Sequence, residues 1–393
     1  MNIIYITLSE PRLSEHGIYP DLVRALIRAS HHVTIVYAAS PRQLKKTELT
    51  KEQGATILRV VVGENFDVGL IGKGINALKM EPLLKQAIRK YLKDARFDLC
   101  LYATPPVTFA GVAAYCKKHY GAGTFLMLKD IFPQNGVDIG LFGRNSLIHR
   151  YFRRKEKKLY ALSDRIGCMS EGNLRYIREH EPWLDPKKLL VFPNTIEVEE
   201  ETQRTEAEED QKTRFLFGGN LGKPQAVSWL LAAMADERLT AREDIAFLIA
   251  GQGSEKEAVV KAAAAMPNLT YYEQLPTEEY DRLAGQADVG LISLDHRFTI
   301  PNYPSRILGY MKAEKPVLAC TDEATDIREL VEKEAKCGLW CSSDDEEGFV
   351  QSVLWLADHR EQREEMGRRG RSYLKQYFSV ERSVRLLEES TNQ

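Results

Sequence analysis

The chain has 393 residues, with 54 Lys and Arg against 56 Asp and Glu, a net charge of -2. That length exceeds what one hydrophobic core usually serves, so two domains are expected. The 44% hydrophobic content excludes a disordered chain. Near-neutrality excludes a uniformly basic nucleic-acid binder, so no nucleic acid is expected as a partner, but the total hides a split. Residues 1–196 carry 30 basic and 18 acidic residues, a net +12, and residues 197–393 a net -14. A basic first half points to an anionic partner for that half.

Short β-branched runs alternate with amphipathic helical stretches from the first residue. The first half reads as strands at 2–8, 32–38, 57–62, 98–103, 124–128, 165–169 and 189–192, with helices at 18–29, 77–93, 107–119, 147–161 and 172–179 between them. Strands that are apolar throughout, with helices between, require a parallel sheet covered on both faces. Glu197–Asp210 then carries eight acidic residues and one basic, and reads as a solvated linker or mobile loop. Alternation resumes with strands at 214–217, 245–250, 269–272, 289–293 and 317–320, and helices at 226–235, 255–265, 278–287 and 305–312. The tail, 348–389, is helical in periodicity.

The expected architecture is α/β, with two doubly wound parallel sheets. Its parts are a first domain 1–196, a connector 197–212, a second domain 213–375, and a last helix 376–393. The six scattered cysteines form no CxxC pair and read as reduced core thiols. The opening MNIIYITLSEPRLSEHG lacks a basic segment followed by a long apolar run, and reads as a buried strand and not a signal peptide. No stretch approaches the roughly 18 apolar residues of a membrane-spanning helix. A cytoplasmic protein is expected.

In doubly wound sheets, ligands lie beyond the carboxyl ends of the strands. Phe217–Lys223 (FGGNLGK) follows a strand and opens a helix; its glycines allow close backbone approach, and its amides with Lys223 suit a phosphate. A glycine-rich connector with a surface lysine would look the same. Ala250-Gly251-Gln252-Gly253 lacks the third glycine of GxGxxG and reads as a tight turn. Gln274 and Leu275 follow another strand and present backbone either to a nucleobase edge or to a simple turn. Phe298–Arg306 (FTIPNYPSR) is stiffened by two prolines and leads to a helix start carrying Ser305 and Arg306, an anion site suited to a diphosphate. The other reading of that stretch is an N-cap with a solvated arginine. No clustered His/Asp/Glu set indicates a metal.

These residues resemble glycosyltransferase family 4, of the GT-B fold, and most closely its bacterial members that build surface polysaccharides. The resemblance rests on Pro304-Ser305-Arg306-Ile307-Leu308-Gly309-Tyr310-Met311-Lys312-Ala313-Glu314-Lys315-Pro316-Val317, similar to PSK-x-x-EYM-x-x-GKPV. It rests also on Gly219-Asn220-Leu221-Gly222, on Val191–Thr195, on Met127–Pro133 (similar to D-x-W-P) and on Gln286–Leu291. It implies two domains facing each other across a cleft, the last helix crossing back to the first. It implies a nucleotide-sugar donor, as substrate and without cofactor, whose diphosphate meets Gly219, Lys223, Asn302, Tyr303, Ser305 and Arg306, with Asn220 also on the donor and the base near Gln274 and Leu275. His16 and Gly17, after the first strand, would meet phosphate or acceptor, and Asp130 would reach the reacting centre. Arg306, Lys223 and Asp130 are therefore the expected catalytic groups. Two glutamates typical of the family are replaced by Pro301 and Gly309, and Glu314 stands where glycine is usual.

The activity implied is retaining, metal-independent transfer of a sugar to a hydroxyl acceptor, a glycan or polyprenyl-diphosphate-linked glycan. A nucleotide-sugar 2-epimerase, or a non-catalytic partner subunit, are the alternatives. Arg144–Tyr160 holds seven basic residues and one acid with apolar residues interleaved. It reads as a solvated helix packed by one face, or as a helix resting on anionic lipid, which would make the protein peripheral on the inner face of the membrane.

Overall fold

The computed structural model describes residues 1–63, 70–198 and 212–391. Most of the expected connector 197–212 lies outside the described residues. The chain divides into one unit of Met1–Glu197 with Val380–Gln393 and a second of Val198–Ser379. The return to the first unit thus falls at Val380, four residues after the expected start of the last helix.

Among the described residues, the first unit holds the strands β1 (Asn2–Thr7), β2 (His32–Ala39), β3 (Glu48–Glu52), β4 (Ala55–Val61), β5 (Leu99–Ala103), β6 (Gly123–Leu128), β7 (Arg165–Cys168) and β8 (Leu189–Val191). They lie in the order β3-β4-β2-β1-β5-β6-β7-β8. All pairings are parallel except β3 with β4. The register sets Ile3 beside Val33 and Leu99, apolar against apolar, as a sheet buried on both faces requires. The antiparallel β3 departs from the expected all-parallel sheet. Its sequence, ELTKE, is polar because it forms an edge, and it is turned by Gln53 (φ 46°) and Gly54 (φ 84°). Two consecutive positive φ values are the signature of a tight two-residue hairpin.

The last helix, Val380–Thr391, places Val380, Val384 and Leu387 on one stripe, and these enter the core of the first unit with Leu22, Leu26 and Phe192. Polar contacts fix it: Thr195 and Ser383 hydroxyls lie 2.8 Å apart, and His31 Nε2 lies 2.9 Å from Glu388.

The second unit holds β9 (Thr213–Gly218), β10 (Ile245–Ala250), β11 (Leu269–Tyr272), β12 (Val289–Ser293), β13 (Val317–Thr321) and β14 (Gly338–Ser342), in the parallel order β11-β10-β9-β12-β13-β14. β14 goes beyond the sequence reading. It approaches β13 so closely that a Cβ on Gly338 would lie 1.8 Å from the Val317 carbonyl oxygen. The expected helical tail is three helices, Glu346–Asp358, Arg360–Tyr377 and Val380–Thr391. No described helix is long and apolar enough to cross a membrane.

Glu314, unusual by resemblance, has φ 56°, the left-handed region that glycine occupies without strain. Its carboxylate lies 3.5 Å from the buried Arg371, whose guanidinium also donates to the Lys312 carbonyl.

Each sheet changes direction once. In the first, β2 lies on one side of β1 and β5 on the other; in the second, β10 and β12 flank β9. The loops leaving such switch points splay apart and leave room for a ligand.

Leu387 is fully buried, whereas Arg385 on the same helix is exposed. Leu387→Ala should destabilise the first unit by about 2–5 kcal/mol in denaturant unfolding, and Arg385→Ala by no more than about 0.5 kcal/mol.

Candidate active site

In the second unit, the switch-point loops are 218–226, after β9, and 294–305, after β12. They are tied directly, the Asp295 N–H donating to the Pro224 carbonyl at 3.0 Å. Gly219 has φ 122°, and a Cβ there would lie 3.1 Å from Arg306 Nη2. Arg306 begins the seven-residue helix Arg306–Lys312 and lays its guanidinium over the Phe217 ring, 4.6 Å from the centroid. Its Nη1 is buried with no hydrogen-bond partner among the described residues, and burial lowers the pKa of the guanidinium. The structure therefore brings Gly219 and Arg306 together from positions 87 apart in the chain.

Two tyrosines that the sequence reading missed build the floor. Tyr310 Oη accepts from the Gly218 N–H at 3.2 Å and donates to the Leu216 carbonyl at 2.8 Å, and lies 3.3 Å from the Leu291 carbonyl. It thereby knits β9 to β12 beneath the turn. Tyr280 packs on Gly218, where a Cβ would lie 2.0 Å from its hydroxyl. The Gly251-Gln252-Gly253 turn holds the same loop from the other side. Leu221 N–H donates to the Gln252 carbonyl at 2.7 Å, and a Cβ on Gly251 would lie 1.8 Å from the Gly219 carbonyl oxygen. What reads as a tight turn in sequence is a backbone-on-backbone support.

The remaining expected donor residues lie in the loops that follow β9, β11 and β12. Lys223 is exposed, in a short 3-10 turn (Lys223–Gln225). The loop does not open directly into a helix as expected: Ala226, at φ 45°, intervenes before Val227–Met234. Asn220 is exposed and donates to Gln225 at 3.1 Å. Asn302 donates its N–H to Thr325 Oγ1 at 3.1 Å, and Tyr303 packs on Phe378 with ring centroids 6.4 Å apart. Ser305 is exposed and makes no capping bond. Gln274 is exposed and Leu275 half-buried, beyond the outermost strand β11. Gly309 is exposed with nothing within 4 Å of where its Cβ would be, so open space lies where the family carries a carboxylate, while Pro301 is buried.

In the first unit, Asp130 follows β6. Its backbone is clipped to Thr104, whose hydroxyl donates to the Asp130 carbonyl at 3.0 Å. Asn135 Nδ2 lies 2.8 Å from each carboxylate oxygen. Burial raises the carboxyl to about 6, with Asn135 opposing the rise. The preceding Lys129 is pushed down to about 7 by burial. Only its place at a strand end, beside Asp130, could have flagged it in sequence.

His16 and Gly17 sit at the switch point of this sheet but are engaged within the fold. Gly17 N–H donates to the buried Asp21 at 3.0 Å, and His16 lies 3.4 Å from Arg24 Nη2. The ligand atoms of His16, Asp21 and Glu197 lie within 4.8 Å of one another. Arg24 bridges both carboxylates, at 2.6 and 2.5 Å, so the group is an ion-pair network.

The basic segment forms the helix Leu147–Leu162, capped by Ser146. Leu159 and Tyr160 are buried, and Glu156 with them, bonded to Tyr160 at 2.8 Å and paired with Arg153. The outer face carries Leu147 at 81% and Ile148 at 54% exposure among exposed Arg150, Arg154, Lys157 and Lys158.

Two Rossmann-like units, each with a mostly parallel sheet that changes direction once, are the architecture of the GT-B fold. Residues 20–200 match the model of glycosyltransferase family 4, and residues 212–359 that of group 1 glycosyl transferases. A probable glycosyltransferase of Pseudomonas aeruginosa, WbjE, is 26% identical over 261 residues, 64% of this chain and 64% of that protein. The chain thus spans under two thirds of that curated relative's length. The trehalose-6-phosphate protein of E. coli bound with UDP-2-fluoro glucose superposes with a TM-score of 0.76 at 11% identity, covering 100% of this chain and 99% of that one. WaaG, a glycosyltransferase involved in lipopolysaccharide biosynthesis, gives 0.68 at 12% identity, covering 100% of each chain. The first unit is thus similar to glycosyltransferase family 4 and the second to group 1 glycosyl transferases.

Because Asn135 opposes the rise in Asp130, Asn135→Leu should move the Asp130 carboxyl upward from about 6, read from its carboxyl carbon shift by NMR. A downward or absent shift would show that Asn135 does not set this carboxyl.

Proposed function

We propose that the protein transfers a sugar from a nucleotide-sugar donor to an acceptor hydroxyl, with retention of configuration and without a metal ion. The observation that carries the reading is Arg306: a buried guanidinium nitrogen without a partner, facing a glycine turn at the switch point. A buried cation left unpaired is unfavourable, and an arriving anion relieves it. In glycosyl transfer, negative charge grows on the departing diphosphate as the anomeric C–O bond breaks. Arg306, with Lys223 in the same loop system, supplies positive charge where it develops. Side chain and backbone at Gly219, Asn220, Asn302, Tyr303 and Ser305 shape the diphosphate seat, and Gln274 and Leu275 meet the base. UDP in the E. coli neighbour supports a nucleotide of this kind.

As the C–O bond to phosphate breaks, the acceptor oxygen bonds to the anomeric carbon on the same face. The acceptor proton passes to the leaving phosphate oxygen. Asp130, ionised above about pH 6, steadies the cationic sugar or orients the acceptor, with His16 and Gly17 on the acceptor side. The acceptor is a polyprenyl-diphosphate-linked glycan of surface polysaccharide synthesis. WaaG's part in lipopolysaccharide biosynthesis supports this, as does the exposed basic and apolar face of Leu147–Leu162, fit to rest on anionic lipid at the cytoplasmic side.

Radiolabelled nucleotide sugars with membrane extract test the transfer. Arg306→Ala should lower kcat/KM about 10²–10³-fold; equal turnover removes Arg306 from the reaction. No binding of any nucleoside diphosphate to the wild-type chain by calorimetry would replace the enzyme reading with that of a non-catalytic partner subunit.

Activity should fall as pH drops through about 6, because the Asp130 carboxyl, raised by burial, becomes neutral there. That limb should be absent from the residual activity of Asp130→Asn. Vesicles containing anionic lipid should co-sediment the chain more than neutral ones, and Leu147→Ser with Ile148→Ser should weaken that preference. Equal binding to both lipids would discard the membrane face.

A further inference from the structure

The loop that follows β1 carries His16 and Gly17, and two side chains of the next helix, Ile18–Arg28, hold its backbone. Arg24 Nη1 donates to the Leu13 carbonyl at 2.8 Å and to the Glu15 carbonyl at 2.7 Å. The fully buried Asp21 accepts the Gly17 N–H at 3.0 Å, and the same oxygen accepts from Arg24 Nη2 at 2.6 Å. The peptide group on each side of His16 is therefore held, one by Arg24 through the Glu15 carbonyl, the other by Asp21 through the Gly17 N–H. Peptide groups are planar, so fixing both fixes the backbone of His16 between them.

The same two side chains also hold Glu197, 173 positions from Arg24. Its N–H donates to the second Asp21 oxygen at 2.8 Å, and its Oε2 accepts from Arg24 Nε at 3.1 Å and Nη2 at 2.5 Å. Glu197 is the last residue of the first unit before the chain leaves it. Val380, where the chain returns, donates its N–H to the Ile196 carbonyl at 3.1 Å. Arg28 joins the two passages, pairing with Glu197 and lying 3.8 Å from Glu381. A solvated ion pair contributes little, but these side chains are only 19% (Arg24), 16% (Glu197) and 1% (Asp21) exposed. The guanidinium is a rigid fork divided between the loop carbonyls, Asp21 and Glu197. A change at Glu197 is therefore passed to the loop.

We propose that Arg24, with Asp21, is a positioning residue for the acceptor: it sets the backbone of His16 and Gly17, and Glu197 anchors it in that task. The inference rests on the reading of this loop as the acceptor side and deepens it. The loop's order depends on the residue at which the chain leaves the unit, a dependence that no spacing in the sequence signals.

Amide hydrogen exchange on the full-length chain, read peptide by peptide by mass spectrometry, tests the clamp without any substrate. The Arg12, Glu15 and Gly17 amides are all hydrogen-bonded, so the loop has protection to lose. Arg24→Lys keeps the charge but loses the fork, and should speed exchange in the peptide 9–17 about tenfold. Glu197→Ala should speed the same peptide, although the bonds to Leu13 and Glu15 are made by Arg24. Peptides from β5 and β6 should be unchanged in both variants. In the transfer assay, Glu197→Ala should raise the half-saturating amount of membrane extract about tenfold and leave that of the nucleotide sugar unchanged. Glu197→Gln, which keeps an oxygen for Arg24, should restore loop protection and extract dependence toward wild type. Loop exchange unchanged in Arg24→Lys and Glu197→Ala overturns the proposal. Exchange raised equally in β5 and β6 also overturns it, by showing a merely structural ion pair. A loosened loop with both half-saturation values unchanged overturns the role toward the acceptor. A wild-type chain that transfers no sugar removes the reading of activity and with it the acceptor role, and the exchange result then decides the clamp alone.

Discussion

A guanidinium nitrogen buried against a glycine turn, with no anion of its own, is the constraint around which the second unit is arranged. Desolvating an arginine without pairing it is unfavourable, so the surroundings must hold it there against that cost. Phe217 offers a π face to the cation, and Gly219 leaves room for it. Tyr310 locks β9 to β12 at the depth of the turn, and Gly251 and Gly253 let the next loop press on it from behind. Together these residues hold the Arg306 guanidinium in one place beside the Gly219 turn. Such fixed charge stabilises a developing anion without reorganising at the moment of reaction.

The first unit solves a related problem with different groups. Its sheet brings Asp130 and Lys129 side by side at a strand end, and burial moves both toward neutrality, the acid up and the base down. Their bonding differs. Asp130 is gripped by Asn135 and clipped by Thr104, whereas Lys129 rests on an aromatic ring, its amine unpaired among the described residues. The last helix belongs to this unit's core, so the first sheet is finished only when the chain returns at Val380.

Much of the fold is legible in sequence because continuous apolar strands alternating with amphipathic helices admit few arrangements. The polar β3 was invisible to that rule, although Gln53-Gly54 carried the hairpin signal. The helical tail read as one stretch because the breaks at His359 and Ser379 leave the periodicity almost undisturbed. Arg306 and Gly219 stood out because loops after strands are where such sheets bind ligands. Tyr280, Tyr310 and Lys129 did not, since their importance comes from contacts between residues distant in the chain. Glu314 looked anomalous until its left-handed backbone and its pairing with Arg371 were seen together.

A crystal structure of the chain with a bound nucleoside diphosphate addresses the Arg306 seat most directly. Phosphate oxygens should lie within hydrogen-bond reach of Arg306 Nη1, against the Gly219 turn, with Phe217 still beneath the guanidinium. A diphosphate bound elsewhere, with Arg306 unmoved and still unpaired, would contradict the assignment of that turn as the leaving-group site.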